Sequence, residues 1–189
     1  MARMIEDYAP RRFSVEEFDK MIAAGILAPD ERVDLVEGHL VSYAPPHGAA
    51  HAGTVWAFTG LLSARLRERA VLWSQLPVVL REGTELEPDV ALLKTSESYR
   101  STLPRARDVH AVIEVADSSL FRDRVRKRRL YAAAGIPEYW VVAIRQARIE
   151  IAREPRNGAY ASYRSAVRGD TVTFEAFPDV VFTVDELLG

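Results

Sequence analysis

The sequence predicts a mixed α/β fold, and three of its features indicate this class. Residues Val109–Ala116 are almost entirely apolar, as in a central strand that is buried on both faces. Helical patterns lie before and after this run, whereas the chain from Ala147 onward alternates in short segments separated by turns. An order of helix, strands, helix and strand is typical of mixed α/β proteins, and the closing alternation predicts an antiparallel β meander.

The elements of the first half follow from a helix cap and from alternation. Ser14 and Glu17 have the spacing of a capping box, which predicts a helix that continues to about Ala24. Arg32–Ala44 alternates around Glu37-Gly38, which predicts a β-hairpin with Gly38 at a positive φ. The other elements predicted here are a turn-rich loop, a long amphipathic helix and two strands, at Pro45–Gly48, Ala50–Arg69, Val71–Leu80 and Pro88–Leu93.

The elements of the second half are bounded by turn residues. A helix is predicted over Leu120–Ala134, and Gly135 is expected to end it. Asn157-Gly158 and Gly169-Asp170 predict turns within the meander. The other elements predicted here are a strand and a short closing helix, at Glu138–Ile144 and Thr183–Leu188.

Two acidic residues occupy strand positions where a carboxylate is costly. Glu114 lies inside the apolar run Val109–Ala116, and Asp89 opens the β-like run Pro88–Leu93. Burying a carboxylate is unfavourable unless a cation or hydrogen-bond donors compensate it. Two acids at facing strand ends can hold Mg²⁺ or Mn²⁺, because these ions prefer hard oxygen ligands. For Asp89 alone, a turn position after proline is the structural alternative. The polar stretch Thr95–Asp108 predicts a mobile loop near these acids.

Lys127 is the third candidate, because it points toward the apolar side of its helix. At about 100° per residue, it falls in the middle of an apolar arc. That arc consists of Leu120, Leu130, Tyr131 and Ala134. Neutralising a phosphoryl transition state, or orienting the attacking water, would explain a lysine there. Two alternatives stay open: the side chain extends past the arc to solvent, or it pairs with Asp123 one turn earlier.

Four further polar residues are weaker candidates. Asp34 and Glu37 lie on opposite faces of the predicted hairpin, so that at most one of them reaches a metal directly. His51 begins a helix, where a histidine is either a cap or a functional residue. Gln75 lies in an otherwise apolar strand, and a buried amide must find partners, either Asp89, a bound water or the sheet itself.

Taken together, these motifs resemble a known family. The segments EPDVALL, VIEVADSSL and DRVRKRRLYAAAGIPEYWVV, in this order, resemble the Uma-type restriction endonucleases of the PD-(D/E)XK nuclease superfamily. The segments RVDLVEGHLVSYAPPHGAAH and GDTVTFEAFPDVVFTVDELLG also match, so that the resemblance covers nearly the whole chain. It implies a restriction-endonuclease-like α-β-β-β-α-β core within a single nuclease-like domain, residues 1–189.

The resemblance also implies roles for individual residues. Asp89 and Glu114 are the metal-binding acids, and Ala116 stands where many superfamily members carry lysine. The family moves that lysine to the following helix, where Lys127 matches. Asp34 takes the place of the first acid, a further metal ligand that the family usually supplies as glutamate in a pattern like RVELIEG. The implied activity is Mg²⁺- or Mn²⁺-dependent hydrolysis of DNA phosphodiester bonds. His51 and Gln75 match positions that the family tends to fill in this way.

A second class of function stays open beside the nuclease. The chain would then be a non-catalytic nucleic-acid-binding or assembly module that retains the nuclease fold. The aspartate at position 34 and the acidic isoelectric point, near 6.1, favour this alternative. Metal-dependent strand cleavage, abolished by Asp89→Ala in a folded protein, distinguishes the two. A homodimer would suit the cutting of two strands, but this expectation rests on analogy.

The composition, with 48% hydrophobic and 28% charged residues, is ordinary for a soluble protein and gives no indication of disorder. A length of 189 residues suits one domain with a substantial core. The net charge of −2 does not by itself indicate nucleic-acid binding. A basic patch does occur next to the candidate acids and consists of Arg122, Arg124, Arg126, Lys127, Arg128 and Arg129. It could meet phosphates, although a solvated helix face explains the arginines equally well.

The absence of cysteine excludes disulfides, thiolate zinc sites and cysteine nucleophiles. No apolar run approaches the roughly 18 residues of a membrane span, and the amino terminus does not resemble a signal peptide. We therefore expect a cytoplasmic protein without a membrane segment.

Overall fold

The structure is a computed structural model that describes residues 9–28, 31–42, 48–117 and 123–189. Its strands, in chain order, are β1 Val33–Val36, β2 His39–Ser42, β3 Val71–Ser74, β4 Val78–Arg81, β5 Thr84–Leu86, β6 Val90–Leu93, β7 Val109–Ala116, β8 Glu138–Ala143, β9 Arg148–Arg156, β10 Ala159–Val167, β11 Thr171–Phe174 and β12 Phe177–Thr183. Its α-helices are α1 Val15–Ala23, α2 Ala49–Leu66, α3 Arg128–Ala133 and α4 Val184–Leu188, and a π-helical turn at Asp123–Lys127 leads into α3. Short 3-10 turns lie at Arg67–Arg69, Glu97–Arg100, Ala106–Asp108 and Ile144–Gln146.

A six-stranded sheet with the strand order β10-β9-β8-β7-β6-β3 forms the centre of the fold. Its neighbouring strands are antiparallel except for β7 and β8, which are parallel and are connected through α3. The order α2, β3, β6, β7, α3, β8 is the α-β-β-β-α-β core that the family resemblance implies. The C-terminal antiparallel prediction is also confirmed: β9 and β10 extend this sheet, and β11 and β12 form a separate two-stranded sheet.

Apolar side chains cover both faces of the six-stranded sheet. On one face, Phe58 and Leu62 of α2 pack with Phe174 and Phe182 of the two-stranded sheet. The other face is covered by α3, which contributes Tyr131, and by the hairpin β4–β5. The candidate acids of β6 and β7 therefore lie in a sheet from which water is excluded on both sides, as the apolar sequence of β7 predicts.

The predicted strand Val71–Leu80 is wrong, because the chain breaks there into β3 and β4. Gln75 takes a φ of 51°, and Pro77 offers no N–H to a ladder, so that the strand cannot continue. As a consequence, β4 and β5 leave the main sheet and join β1 and β2 in a four-stranded sheet of order β2-β1-β5-β4. The hairpin β4–β5 therefore connects the first hairpin to the six-stranded sheet.

The first hairpin confirms the predicted turn at Glu37-Gly38, where both residues have positive φ values of 52° and 82°. A side chain at Gly38 is excluded for a second reason: an added Cβ would lie 2.5 Å from the Cβ of Arg12. The Gly38 amide donates to the Gly83 carbonyl at 2.7 Å. The turns of the two hairpins therefore hold each other, which fixes β1 beside β5.

The remaining boundaries agree with the sequence within a few residues. The capping box of Ser14 and Glu17 is present, and Thr183 caps α4 in the same manner. Gly135 follows α3 with a φ of 76°. The predicted start of the preceding helix at Leu120 lies outside the described residues, as does the predicted loop Pro45–Gly48 apart from its last residue. Within the described ranges, no helix is both long and apolar enough to cross a membrane.

Candidate active site

Asp89 and Glu114 are brought together by the pairing of β6 with β7. Val90 pairs with Ile113 and Ala91 with Val112. Continuing this antiparallel register by one residue places Asp89 opposite Glu114, and directly opposite residues project to the same side. The Asp89 side chain is also tied to β7 itself, because its Oδ2 atom accepts a 2.7 Å hydrogen bond from the backbone amide of Val115, the residue after Glu114.

Asp89 is a buried carboxylate that is held in its ionised form. It is 8% exposed, and the Nε2 of His51 lies 3.2 Å from its Oδ2. Burial raises the pKa of Asp89, but the hydrogen bond of His51, the charges of Lys127 and His51 and the Val115 amide together lower it below its ordinary value. Asp89 is therefore a negatively charged oxygen donor at neutral pH.

Glu114 has two side-chain partners from the helix that follows β7. Its Oε1 accepts a hydrogen bond from the Nζ of Lys127 at 2.7 Å and one from the Tyr131 hydroxyl at 2.8 Å. Burial and the neighbouring Glu114 raise the pKa of Tyr131 well above its ordinary value, so that its phenol stays protonated and donates. Lys127 and Tyr131 are four residues apart, about one helical turn, so both side chains reach the Glu114 carboxylate.

Lys127 points inward, as its place in the apolar arc predicts. It is 7% exposed, whereas Val125 and Arg126 beside it are exposed. The interpretation that Lys127 extends past the arc to solvent is therefore wrong. The side chain of Asp123, its alternative partner, lies outside the described residues. Lys127 ends a π-helical turn, a wider turn that is frequent at functional sites.

The first hairpin contributes Asp34 and not Glu37. Asp34 is 4% exposed, and its Oδ1 accepts a hydrogen bond from the Glu87 amide at 3.2 Å, two residues before Asp89. Glu37 is exposed and forms an ion pair with Arg81 at 2.6 Å. Of the two acids that the sequence left open, only Asp34 therefore lies on the side of Asp89.

His51 is not the helix cap, and Gln75 is not the buried strand residue, that the sequence suggests. His51 is no helix cap, since Gly48 caps α2, and its buried ring contacts Asp89. Gln75, predicted to be buried in a strand, is instead exposed. Its backbone N–H donates to the carbonyls of Pro88 and Asp89, each at 3.2 Å, so that the residue is tied to the site through its main chain.

Glu85 is a buried acid that the sequence reasoning missed. It is 3% exposed, and its Oε2 has no hydrogen-bond partner among the residues that the structure describes. Burial, together with the charges of Asp19 and Asp34, raises its pKa to about 7. Glu85 lies in the three-residue strand β5, which is too short for its alternation to indicate which side chains are buried.

The basic patch is only partly free to meet a ligand. Arg124 is engaged with Glu150 and Gln146, and Arg128 lies over the ring of Tyr163 at 5.0 Å. Arg126 and Arg129 are exposed, while Arg122 lies outside the described residues.

The loop predicted near the site lies elsewhere. Residues 95–108 connect the end of β6 to the start of β7, which is the end of this strand pair opposite to Asp89. The loop also contains two short 3-10 turns, Glu97–Arg100 and Ala106–Asp108, and its Arg105 forms a bridge with Val79 of β4. The expectation that it lies beside the acids is therefore wrong.

The three candidate acids can be compared with the ligands that a divalent metal ion requires. Asp34, Asp89 and Glu114 are all carboxylates, but the part of the chain that the structure describes contains no group of three or more acidic or histidine side chains close enough to hold one ion. Asp89 and Glu114 are opposite each other in the register of the strand pair, and Asp34 of β1 is bonded to the Glu87 amide, two residues before Asp89. This arrangement suits an ion that takes most of its ligands from water and substrate.

Comparisons with known proteins agree with this architecture. A solved structure from Anabaena variabilis ATCC 29413, described as "a putative nuclease belonging to DUF820", superposes with a TM-score of 0.72 at 13% sequence identity. The superposition covers 93% of this chain and 97% of that chain, and at this identity it shows the fold alone. No curated protein matches the sequence. The model of the Uma2 family, described as "Putative restriction endonuclease", matches residues 15–185, and the chain therefore belongs to the Uma2 family.

Proposed function

We propose that this protein is a metal-dependent endonuclease that hydrolyses DNA phosphodiester bonds, with Mg²⁺ or Mn²⁺ as its ion. The observation that carries the proposal is the meeting of Asp89, Glu114 and Lys127 in a water-poor part of the sheet. Membership of the Uma2 family, and the likeness to a fold described as a nuclease, support the same activity.

Asp89 and Glu114 are the residues that would hold the ion. Mg²⁺ is commonly bound by one or two carboxylates together with waters and substrate phosphates, so that two facing acids are sufficient. Asp34 would contribute through a water molecule rather than directly. When bound, the ion polarises the phosphate and lowers the pKa of the attacking water.

The other side chains fix and balance these acids. His51 and the Val115 amide hold the Asp89 carboxylate in one orientation, and Tyr131 does the same for Glu114. Lys127 places a positive charge beside Glu114, where it would stabilise the charge that develops on the phosphate oxygens or orient the attacking water. Because Lys127 is buried, its charge is weakly screened by solvent.

A non-catalytic nucleic-acid-binding module is the alternative, and one observation favours it. The Lys127 amine already forms an ion pair with Glu114 at 2.7 Å, so that the buried carboxylate is compensated without a metal. In such a module the pair would be structural, and Arg126 and Arg129 would provide contacts to phosphates.

Strand cleavage with matched variants tests the proposal. We expect the purified protein to cut DNA only when Mg²⁺ or Mn²⁺ is present. Asp89→Asn and Glu114→Gln should each lower the rate by at least about 10²-fold, the scale of losing one electrostatic contributor. Asp179→Asn is the control, because Asp179 is exposed and pairs with Arg69. Circular dichroism verifies folding of each variant. Cleavage that persists in both site variants, or that is absent under all metal conditions, contradicts the proposal.

A further inference from the structure

An open cleft of about 400 Å³ lies next to the candidate site, on the side of α2. Its lining includes Arg32, His51, Trp56, Ser74 and Gln75. His51 belongs both to this cleft and to the site, because its Nε2 contacts Asp89. Ser74 and Gln75 are likewise bonded to the backbone of Asp89. The cleft therefore adjoins the residue that we assign to the metal.

Trp56 forms one wall of the cleft and is 80% exposed. It follows Ala52 by one helical turn and precedes Thr59 by another, so that these residues form a stripe at the rim, beside the buried stripe of His51 and Val55. An indole in water leaves a large apolar area uncovered. An exposed indole at the edge of a cleft offers a flat aromatic face that suits a planar ligand.

Gln75 forms part of the facing wall and has an unusual backbone. Its φ of 51° is costly for a residue other than glycine, and it is held there by the hydrogen bonds of its N–H to Pro88 and Asp89. The result is an exposed side-chain amide next to Asp89. An amide offers both a donor and an acceptor, which is the pattern that pairs with the edge of a nucleobase.

Arg32 brings a positive charge to the same rim. Its Nη1 lies 4.0 Å from Glu87, at the outer limit of an ion pair, and its side chain is 34% exposed. A guanidinium in this position can turn toward a phosphate, which it binds through two parallel hydrogen bonds. The cleft thus combines an aromatic face, an amide and a cation within reach of the metal-binding acids.

We infer that this cleft binds an unpaired nucleobase of the substrate strand, stacked on Trp56 and contacted at its edge by Gln75, with Arg32 on the adjoining phosphate. The inference deepens the proposed function and rests on it: the strand that is cut is single-stranded or locally unpaired beside the phosphodiester that is hydrolysed. A base within a duplex has no free face, because both faces are already stacked on its neighbours.

Binding in the absence of metal tests the cleft without any turnover. Labelled single-stranded and duplex DNA oligonucleotides of the same sequence are titrated in EDTA and followed by fluorescence anisotropy. We expect Trp56→Ala to weaken single-strand binding by about tenfold, and Trp56→Phe, which keeps an aromatic face, to weaken it much less. Val181→Ala is the control: Val181 is also exposed, at 50%, but lies on β12 near the far end of α2. Equal affinities of wild type and Trp56→Ala would overturn the inference, as would an equal loss for duplex DNA.

Tryptophan fluorescence gives a second readout of the same contact. Trp140 is fully buried and Trp73 is half-buried with its indole N–H bonded to Pro77, so that Trp56 is the tryptophan open to a ligand. Single-stranded DNA should quench the emission of the wild type, and the quenching should be largely lost in Trp56→Ala. Quenching that survives this substitution contradicts stacking on Trp56.

Cleavage rates separate failure of the cleft from failure of the proposed function. If both hold, Trp56→Ala lowers kcat/KM for single-stranded DNA about tenfold while cleavage still depends on Glu114. If Trp56→Ala cuts single-stranded and duplex DNA at wild-type rates and Glu114→Gln is inactive, the cleft inference fails and the nuclease proposal stands. If cleavage does not depend on Glu114, the proposed function fails, and metal-free binding still decides whether the cleft holds a base.

Discussion

The Nζ of Lys127 lies 2.7 Å from the Oε1 of Glu114, and both side chains are almost completely removed from water. An ion pair in this setting is strongly coupled, since little solvent screens the two charges. Glu114 lies on β7, and Lys127 ends the π-helical turn that leads into α3, so the two residues are 13 positions apart in the sequence. The negative charge of Glu114 is therefore balanced by Lys127 whenever no metal is present.

Removing the lysine should affect stability and rate together. Lys127→Met removes the positive charge that pairs with the buried Glu114 carboxylate, and we expect a loss of about 3 kcal/mol of metal-free stability at neutral pH. Cleavage should fall by on the order of 10²-fold. Urea denaturation and strand-cleavage kinetics provide the two measurements.

Arg126→Ala is the control, because Arg126 occupies an exposed position of the same turn. It should keep stability and cleavage rate close to wild type and mainly reduce the salt dependence of DNA binding. Similar effects of the two substitutions on turnover would remove Lys127 from the proposed mechanism.

Divalent metal should stabilise the folded protein through Asp89 and Glu114. An ion that binds only the folded state at a hundred times its Kd adds about 2.7 kcal/mol of stability. For a chain of this length, that corresponds to an increase in Tm of roughly 5–10 °C. Differential scanning fluorimetry with Mg²⁺ and Mn²⁺ measures the shift. Asp89→Asn should abolish it, whereas Asp179→Asn should retain it. A Tm that does not respond to either ion would support the non-catalytic module.

His51 should act by positioning Asp89. His51→Ala removes the side-chain contact at 3.2 Å and leaves the Val115 amide, so that the carboxylate gains orientational freedom. We expect kcat and metal affinity to fall by roughly 10-fold or more. This is the usual effect of removing a residue that hydrogen-bonds to a metal ligand. His51→Gln restores a side-chain N–H and should recover part of both values. If His51→Gln recovers neither kcat nor metal affinity, the His51 ring contributes through packing rather than through its hydrogen bond to Asp89.

Glu85 should make the metal-free protein less stable as the pH rises. Its pKa is raised to about 7 in the folded state from an ordinary value of 4.5, so that the folded protein keeps a proton that the unfolded chain releases. Glu85 does not reduce the free energy of unfolding below about pH 4.5, where both states are protonated. The reduction grows between about pH 4.5 and 7 and stays constant above pH 7. Its full size is at most about 3 kcal/mol. Glu85→Gln should therefore remove part of the loss of stability in urea titrations between pH 5 and 8. Glu37→Gln, an exposed acid of the same sheet, should not change this pH dependence.

The parts of the site that could be predicted from sequence are those governed by local periodicity. Glu114 was recognisable because a carboxylate interrupts an apolar strand, and Lys127 because helical spacing placed it among apolar residues. The strand pair that brings Asp89 to Glu114 follows from the order of the core elements.

The parts that could not be predicted depend on contacts between distant segments. The contact of His51 with Asp89 joins a helix to a strand terminus, and no periodicity reports it. Gln75 was misplaced because the alternation of apolar residues continues through a break that is set by a positive φ and by Pro77. Glu85 was overlooked because its strand has only three residues, and because the elements around it, α1 and β1, are distant in the sequence.

The pairing of Leu35 with Glu85 has a consequence for the order of folding events. Strands β7 and β8 belong to one continuous strand–helix–strand segment, whereas β1 meets β5 only after a long intervening stretch of chain has closed. Closing a longer loop carries a larger entropic cost, so that local segments are favoured to form first. Glu114 and Lys127 should therefore be in place before Asp34 arrives. In pulse-labelled hydrogen exchange during refolding, we expect the amides of β7 and β8 to become protected before those of β1.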